Sequence, residues 1–573
     1  MISLGAAPCD RGAILHGAEG ATACTTAARR WTLVAAIIGS GMAFMDGTIV
    51  NVALPAIQHA LDADAGEAQW VIESYALFLA ALLLVGGALG DRYGRRRVFM
   101  TGAGIFTAAS VACAMAPDAG NLIAARAVQG IGAALLVPGS LALVSAAFPE
   151  DQRGRAIGTW SAFSGITAAV GPVLGGWLID RGSWSWAFLI NVPVGLALLA
   201  ICVAKVPESR GSASTQQRID LPGAALATIG LAGIVYGFIE APRHGWGAPD
   251  VVAALAAGVI GLGLFVAVEA RRAQPMVPLG LFRIRDFAGT NLLTVLLYAA
   301  LGGGLYFFPL NLIQVQGYGA TAAGAALLPF IAIMFVLSRW AGKLVDVYGA
   351  RLPLVAGPLV AAAGFALFAR PSIGGPYATT FLPAVCVLGL GMAITVAPLT
   401  TTVMNSVHSE QAGVASGINN AVSRAAGLLA IAVLGIVMTH AFDAALGERL
   451  AGVQASRPVL EAVARQRQKL AAIELPADAD PQGAAAARRA IAESYVEGFR
   501  EVMLASAALA VLAAATAWLF IGRTPRGAGT PQRPADAVPR RPGPPAARRS
   551  ATPSGRSGRA RSRTARRAAS TRG

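Results

Sequence analysis

Apolar residues in this chain come in unbroken runs of about twenty, set apart by short polar connections. Neither the alternation of a half-buried strand nor the narrow stripe of a surface helix describes them. About twenty residues in a helix cross roughly 30 Å of hydrocarbon. The pattern predicts fourteen spanning helices near 32–57, 69–90, 98–116, 121–146, 156–179, 185–204, 221–240, 251–269, 287–313, 321–345, 352–369, 377–403, 413–438 and 500–521. The expected fold class is an all-α polytopic membrane protein.

The connections alternate in charge. "HALDADAGEA" after span 1 has no Lys or Arg, "DRYGRRR" after span 2 has four, "APDAGN" after span 3 has none, and "EDQRGR" after span 4 has two. The stretches after spans 6 and 8 are basic again. Basic connections stay on the cytoplasmic side, and an even number of spans then places both termini there, in a cell (plasma or inner) membrane. The segment 439–499 falls outside, where "RPVLEAVARQRQKLAAIE" has the pattern of an amphipathic helix.

Composition agrees with this picture. Residues are 55% hydrophobic and 13% charged, against about 25% charged in a typical soluble domain. The five cysteines form no CxxC pair and no Cys/His cluster, so no disulfide, metal or cofactor is expected. The run after Arg29-Arg30 is too long for a signal-peptide core and reads as span 1. From Gly522 onward there are fourteen arginines and one acid, Asp536, about +13 of the net +16. Such a tail is expected to be disordered and drawn to anionic lipid; no nucleic-acid role is expected.

One charged stretch occurs twice. "GALGDRYGRRR" (87–97) and "GKLVDVYGARL" (342–352) align at a constant offset of 255, which pairs Gly87, Asp91, Tyr93, Gly94 and Arg96 with Gly342, Asp346, Tyr348, Gly349 and Arg351. Each copy follows an even-numbered span. Two related six-helix halves with two helices inserted between them account for this, and internal repeats mark secondary transporters. The expected organisation is an N-terminal segment 1–30, a first half 31–204, an inserted pair with its loops 205–286, a second half 287–521 that includes the loop 439–499, and a tail 522–573.

The first copy also resembles the loop 2–3 motif of the major facilitator superfamily. "LIAARAVQGIGAA" (122–134) is similar to that family's span-4 motif, with its arginine at Arg126. "GITAAVGPVLGGWL" (165–178) resembles the antiporter motif, carried by Gly165, Gly171, Pro172, Gly175 and Gly176. "MDGTIVNVALPAI" (45–57), the stretch 220–246 and "GVASGINNAVSRAAGLL" (413–429) resemble the fourteen-span drug:proton antiporters. The resemblance implies a major facilitator fold and a multidrug efflux function. It also implies a cytoplasmic latch formed by Gly87, Asp91, Arg92, Gly94, Arg95 and Arg96 with Asp346, Gly349 and Arg351. In that latch Asp91 would meet an arginine of its own loop and a helix N-terminus of the other half. The arginines serve equally as a topology signal.

Ionisable side chains inside spans are costly and functional by default. Asp46 in span 1 is the leading candidate for proton coupling. Arg126 is its charge partner or competitor, because an arginine stays charged and cannot carry the proton. Glu73 is either a second acid or a hydrated interfacial group. Arg424, Asn419 and Asn420 either line the second half of a cavity or pair within the bundle. Met42, Met45, Trp160, Phe163 and Tyr306 are candidate cavity residues, since Met and aromatic surfaces suit varied apolar ligands and an aromatic face with a carboxylate suits lipophilic cations.

Neither a Walker GxxxxGK[ST] nor HExxH nor GxSxG occurs, which argues against an ATP-driven pump and against an enzyme. The expectation is export of hydrophobic or cationic small molecules driven by the proton gradient. The alternatives are a dedicated exporter of one metabolite, antibiotic or lipid, and a non-transporting scaffold or sensor. Whether a periplasmic adaptor extends the route is open.

Overall fold

The computed structural model describes residues 25–210, 220–272, 275, 277–407, 411–453 and 455–522. The expectations for residues 1–24 and for the basic tail beyond 522 lie outside these. Fourteen helices among the described residues are long and apolar enough to cross a membrane. Spans 1 to 4 are Thr26–Leu61, Ala65–Tyr93, Arg95–Ala114 and Ala119–Ala147; span 5 is Glu150–Arg181 and span 6 Trp186–Lys205. The inserted spans 7 and 8 are Leu221–His244 and Pro249–Arg271. Span 9 is Arg285–Val315 and span 10 is Ala320–Ala325 followed by Leu328–Tyr348. Spans 11 to 14 are Arg351–Phe368, Leu382–Asn405, Ala412–Leu450 and Pro481–Phe520.

Local chemistry sets the ends. Asp64 and Glu67 form a reciprocal capping box at the start of span 2, Asp118 caps span 4 and Asp480 caps span 14. The two copies of the repeat terminate spans 2 and 10 in the same way. Gly94 (φ +112°) and Gly349 (φ +74°) end their helices in a conformation open to glycine, each donating its N–H back to the helix, to Gly90 and Val345.

The last two spans depart from the expected boundaries. Span 13 continues to Leu450 and span 14 begins at Pro481 rather than near 500. At 1.5 Å per residue the 40-residue span 14 is about 60 Å long, roughly twice the hydrocarbon thickness. Its early half, rich in Ala with Arg and Glu, is too polar for a hydropathy window, yet Ala487, Ile491, Tyr495 and Gly498 give it a buried face. The rest of the segment holds a short helix, Arg457–Arg465, and a 3₁₀ turn, Arg467–Ala472, which contains Leu470 at φ +54°.

Within each half, small residues let neighbouring spans touch backbone to backbone. A Cβ at Gly132 of span 4 would lie 2.7 Å from Phe106 N of span 3, and one at Gly391 of span 12 would lie 2.3 Å from Ala361 N of span 11. The two halves meet closely at the end that carries loop 1–2 and residues 451–480, the lid end. Gln314 donates to Gln58 (2.8 Å). Asp180 of span 5 accepts from the Ala320 and Thr321 N–H groups at the start of span 10 (3.1 and 2.9 Å). Lys469 pairs with Asp62.

Span 7 packs on both halves. Trp70 of span 2 donates to Glu240 (3.1 Å), and Arg243 pairs with Asp64 (2.9 Å). Val235 and Ile239 form one apolar cluster with Leu77 of span 2 and Leu428 and Ala432 of span 13.

Candidate functional site

Asp46, on span 1, and Arg126, on span 4, are brought together and fully buried as an ion pair. Arg126 Nε also donates to the Val71 carbonyl (3.0 Å), and its guanidinium lies 4.2 Å from the Tyr75 ring centroid. Gln129, one turn along span 4 from Arg126, bridges the pair. Its Oε1 accepts from Arg126 (2.7 Å), and its Nε2 lies within donating distance of Asp46 Oδ1 (2.8 Å) and Ser110 Oγ (2.9 Å). Asn191, at the break that opens the main helix of span 6, donates to Asp46 Oδ1 (3.0 Å). Both charges are thereby hydrogen-bonded while fully buried. Gln129, Asn191 and Ser110 were not singled out from the sequence; an amide at i+3 from an intramembrane arginine is the pattern that points to Gln129.

Glu73 is also fully buried, on span 2, and the two oxygens of its carboxyl group have no partner. It does not join the Asp46 network but lies nearer Tyr306. The hydrated interfacial alternative does not describe it.

The loop 2–3 residues bind within their own half. Asp91 pairs with Arg95 (2.8 Å). Arg96 donates from its backbone N–H to Glu208 (2.9 Å) and from Nη1 to the Val206 carbonyl (2.9 Å), and Arg97 lies 3.7 Å from Glu208. Glu208, just past span 6, is an anchor that sequence reasoning missed. The second copy behaves alike: Arg351 donates to the Trp518 carbonyl and lies over its ring (4.0 Å). Each repeat arginine therefore ties its loop to the last span of its half. Asp91 reaches no helix N-terminus of the other half among the described residues, since the halves are joined at the opposite end. Gly87 lies beside Pro138, Arg92 lies over Tyr93 (5.6 Å), and the Asp346 side chain is outside the description.

The antiporter motif lies on a seam. Added Cβ atoms at Gly171 and Gly175 would reach Thr48 (2.3 Å) and Ile49 (2.9 Å) of span 1, and one at Gly176 would reach the Ala320 carbonyl (2.4 Å) of span 10. A Cβ added at Gly324 would in return reach the Pro172 carbonyl (2.1 Å). Gly165 faces open space.

The structure places several candidate cavity residues in contacts within their own half. Met42 is buried in the core of the first half with Tyr75 and Phe99. Trp160 donates to Ser40 (2.9 Å) and packs beside Leu33 and Phe148. Tyr306 is core, edge-on to Phe307. Asn419 donates to Thr294 (2.8 Å) and Asn291 (3.2 Å) inside the second half, so it pairs within the bundle. Phe163 is half-exposed on span 5 and Met45 partly buried against Gly171. Arg424 is partly buried and lies 5.7 Å from the Phe44 ring across the interface between the halves.

Two repeated helical halves around buried intramembrane charges define a membrane transporter and not an enzyme. The comparisons identify which kind. The chain belongs to the major facilitator superfamily, whose family model matches residues 36–431. It is 35% identical over 512 residues to the multidrug resistance protein Stp of Mycobacterium tuberculosis (strain CDC 1551 / Oshkosh), covering 87% of this chain and 93% of that protein. It is 38% identical over 424 residues to the puromycin resistance protein pur8 of Streptomyces alboniger, covering 73% and 84%. It is 32% identical over 495 residues to the tetracenomycin C resistance and export protein of Streptomyces glaucescens, covering 85% and 91%. Among solved structures, a bacterial homologue of the human lysosomal transporter Spinster shares the fold at TM-score 0.61 and 19% identity, covering 86% of this chain and 97% of that one. A D-xylose-proton symporter does so at 0.54 and 15%, covering 87% and 99%.

Proposed function

We propose that this protein exports hydrophobic small molecules in exchange for protons, by alternating access, from a plasma membrane with both termini cytoplasmic. The observation that carries this reading is the buried Asp46–Arg126 pair. Asp46 can accept a proton and Arg126 cannot lose one. Protonation of Asp46 cancels the attraction and leaves Arg126 to Gln129, Val71 and the Tyr75 face. The proton therefore changes which partners hold spans 1, 4 and 6 together, which is a requirement for coupling to a rocking motion. Glu73 supplies a second acid: a buried carboxylate without partners is costly, and a proton removes the charge. The relatives named for drug resistance and export support the direction. With the lid end outside, the joined seam closes the external face.

The test is efflux of N-phenyl-1-naphthylamine, a neutral apolar dye, from energised cells. Protonophore-sensitive efflux that Asp46→Asn abolishes at equal protein level is expected. Full activity in that variant would refute Asp46 as the coupling acid.

A further inference from the structure

Two intramembrane arginines, one in each half, differ in one respect. Arg126 is saturated by a carboxylate, an amide, a carbonyl and an aromatic face. Arg424, on span 13 of the other half, has no ion pair and no hydrogen bond among the described residues, and its Nε is buried without a partner. The residue as a whole is only partly buried, so the remaining donors are reachable. Its surroundings are aromatic: the Phe44 ring at 5.7 Å, with Tyr75 and Tyr298 close enough to feel its charge. Asn420, one turn before it, is exposed, and a Cβ added at Gly427, about one turn after it, would meet nothing within 4 Å. Positions 420, 424 and 427 share one helix face, so the guanidinium stands on an open face of span 13 opposite span 1.

An uncompensated guanidinium at this depth is costly, and no acid among the described residues pairs with it: Asp46 is committed to Arg126, and the Glu73 carboxyl oxygens have no partner. A planar fork of five donors matches a carboxylate, sulfonate or phosphonate two-pronged. A ring system attached to that acid would find Phe44 and Tyr298 beside it.

We propose that Arg424 is the recognition site for the acidic group of an amphipathic organic anion, and that such aromatic acids are a substrate class of this transporter. The proposal rests on the export reading and narrows it. It departs from the cationic substrates among those expected from the sequence, because the unpartnered charge on the open face of span 13 is Arg424, whereas the unpartnered carboxyl of Glu73 is fully buried.

The test uses two probes that share one skeleton. N-phenyl-1-naphthylamine is neutral, and 8-anilinonaphthalene-1-sulfonate adds a sulfonate to it. Each is titrated by fluorescence into the purified full-length protein in an uncharged maltoside detergent, against a detergent blank and without any proton gradient. The native protein is expected to prefer the sulfonate. Arg424→Gln should weaken sulfonate binding about tenfold or more and leave the neutral probe within about twofold. Arg424→Lys, which keeps the charge and loses the fork, should fall between. Equal affinity of the native protein for both probes would overturn the proposal, as would equal loss of both probes in a monodisperse Arg424→Lys protein. Displacement of the sulfonate by added phosphatidylglycerol would assign the site to a lipid headgroup and overturn it too. Protonophore-insensitive efflux of the neutral dye would remove the coupling reading alone and leave the binding result standing.

Discussion

Asp46→Asn separates a coupling role from a merely structural one. The Asp46 carboxylate accepts from Arg126, Gln129 (2.8 Å) and Asn191 (3.0 Å). An asparagine keeps the shape, and its single oxygen can face either the two amides or the guanidinium, not both. Its new NH₂ then meets donors. The charge-assisted bond to Arg126 is lost, worth about 1.5–3 kcal/mol, and Arg126 stays buried without a counter-ion, which costs about 3–5 kcal/mol for a broken buried pair. The second cost includes the first, so a net loss of about 3–5 kcal/mol is expected, roughly a hundredfold or more in an equilibrium constant. The assay is resistance to thermal unfolding in detergent, read by tryptophan fluorescence, for the native protein, Asp46→Asn, Arg126→Gln and the double variant. If the penalty is the stranded guanidinium, the double variant recovers most of the stability while dye efflux stays absent. A double variant no more stable than Asp46→Asn would refute this account of the pair, and recovery of proton-driven efflux along with stability would refute the coupling role.

Other consequences are open to measurement. Glu73→Gln removes no hydrogen bond, so stability should stay within about 1 kcal/mol while protonophore-sensitive efflux falls; a large loss of stability would show that the carboxyl has a partner. Glu208→Gln should loosen the clamp on loop 2–3 and speed amide hydrogen exchange at residues 95–98 by about tenfold, for about 1.4 kcal/mol of local protection; unchanged exchange would remove Glu208 as an anchor. Gly176→Val places a branched side chain where even a Cβ would lie 2.4 Å from the Ala320 carbonyl. It should part the lid-end seam, read as a longer distance between spin labels at the lid-end positions 115 and 372, and an unchanged distance would contradict the packing.

Much of the fold was legible because lipid imposes a length: a run of about twenty apolar residues has few other uses. The offset of 255 was legible for a related reason, since Gly94 and Gly349 both end a helix with positive φ, a job few other residues do. What escaped notice was set by partners distant in sequence. Glu208 is unremarkable until Arg96 reaches it from 112 residues away. Gln129 and Asn191 look like tolerated amides until Asp46 is placed between them. The early half of span 14 was missed because its burial depends on protein neighbours and not on lipid. Trp160 and Met42 show the opposite case: large apolar side chains satisfy a core as readily as a cavity, and the sequence does not choose between them.

The attachment of span 7 has a mechanical side. Among the described residues its directional bonds to the two halves, Trp70 to Glu240 and Arg243 to Asp64, go to span 2, while span 13 is met through Leu428 and Ala432 in an apolar cluster. Hydrogen bonds and ion pairs have fixed geometry; dispersion contacts between smooth aliphatic surfaces do not. In the proposed alternating access, the inserted pair would ride with the first half and slide over the second. It is a plain bearing, bolted on one side and greased on the other.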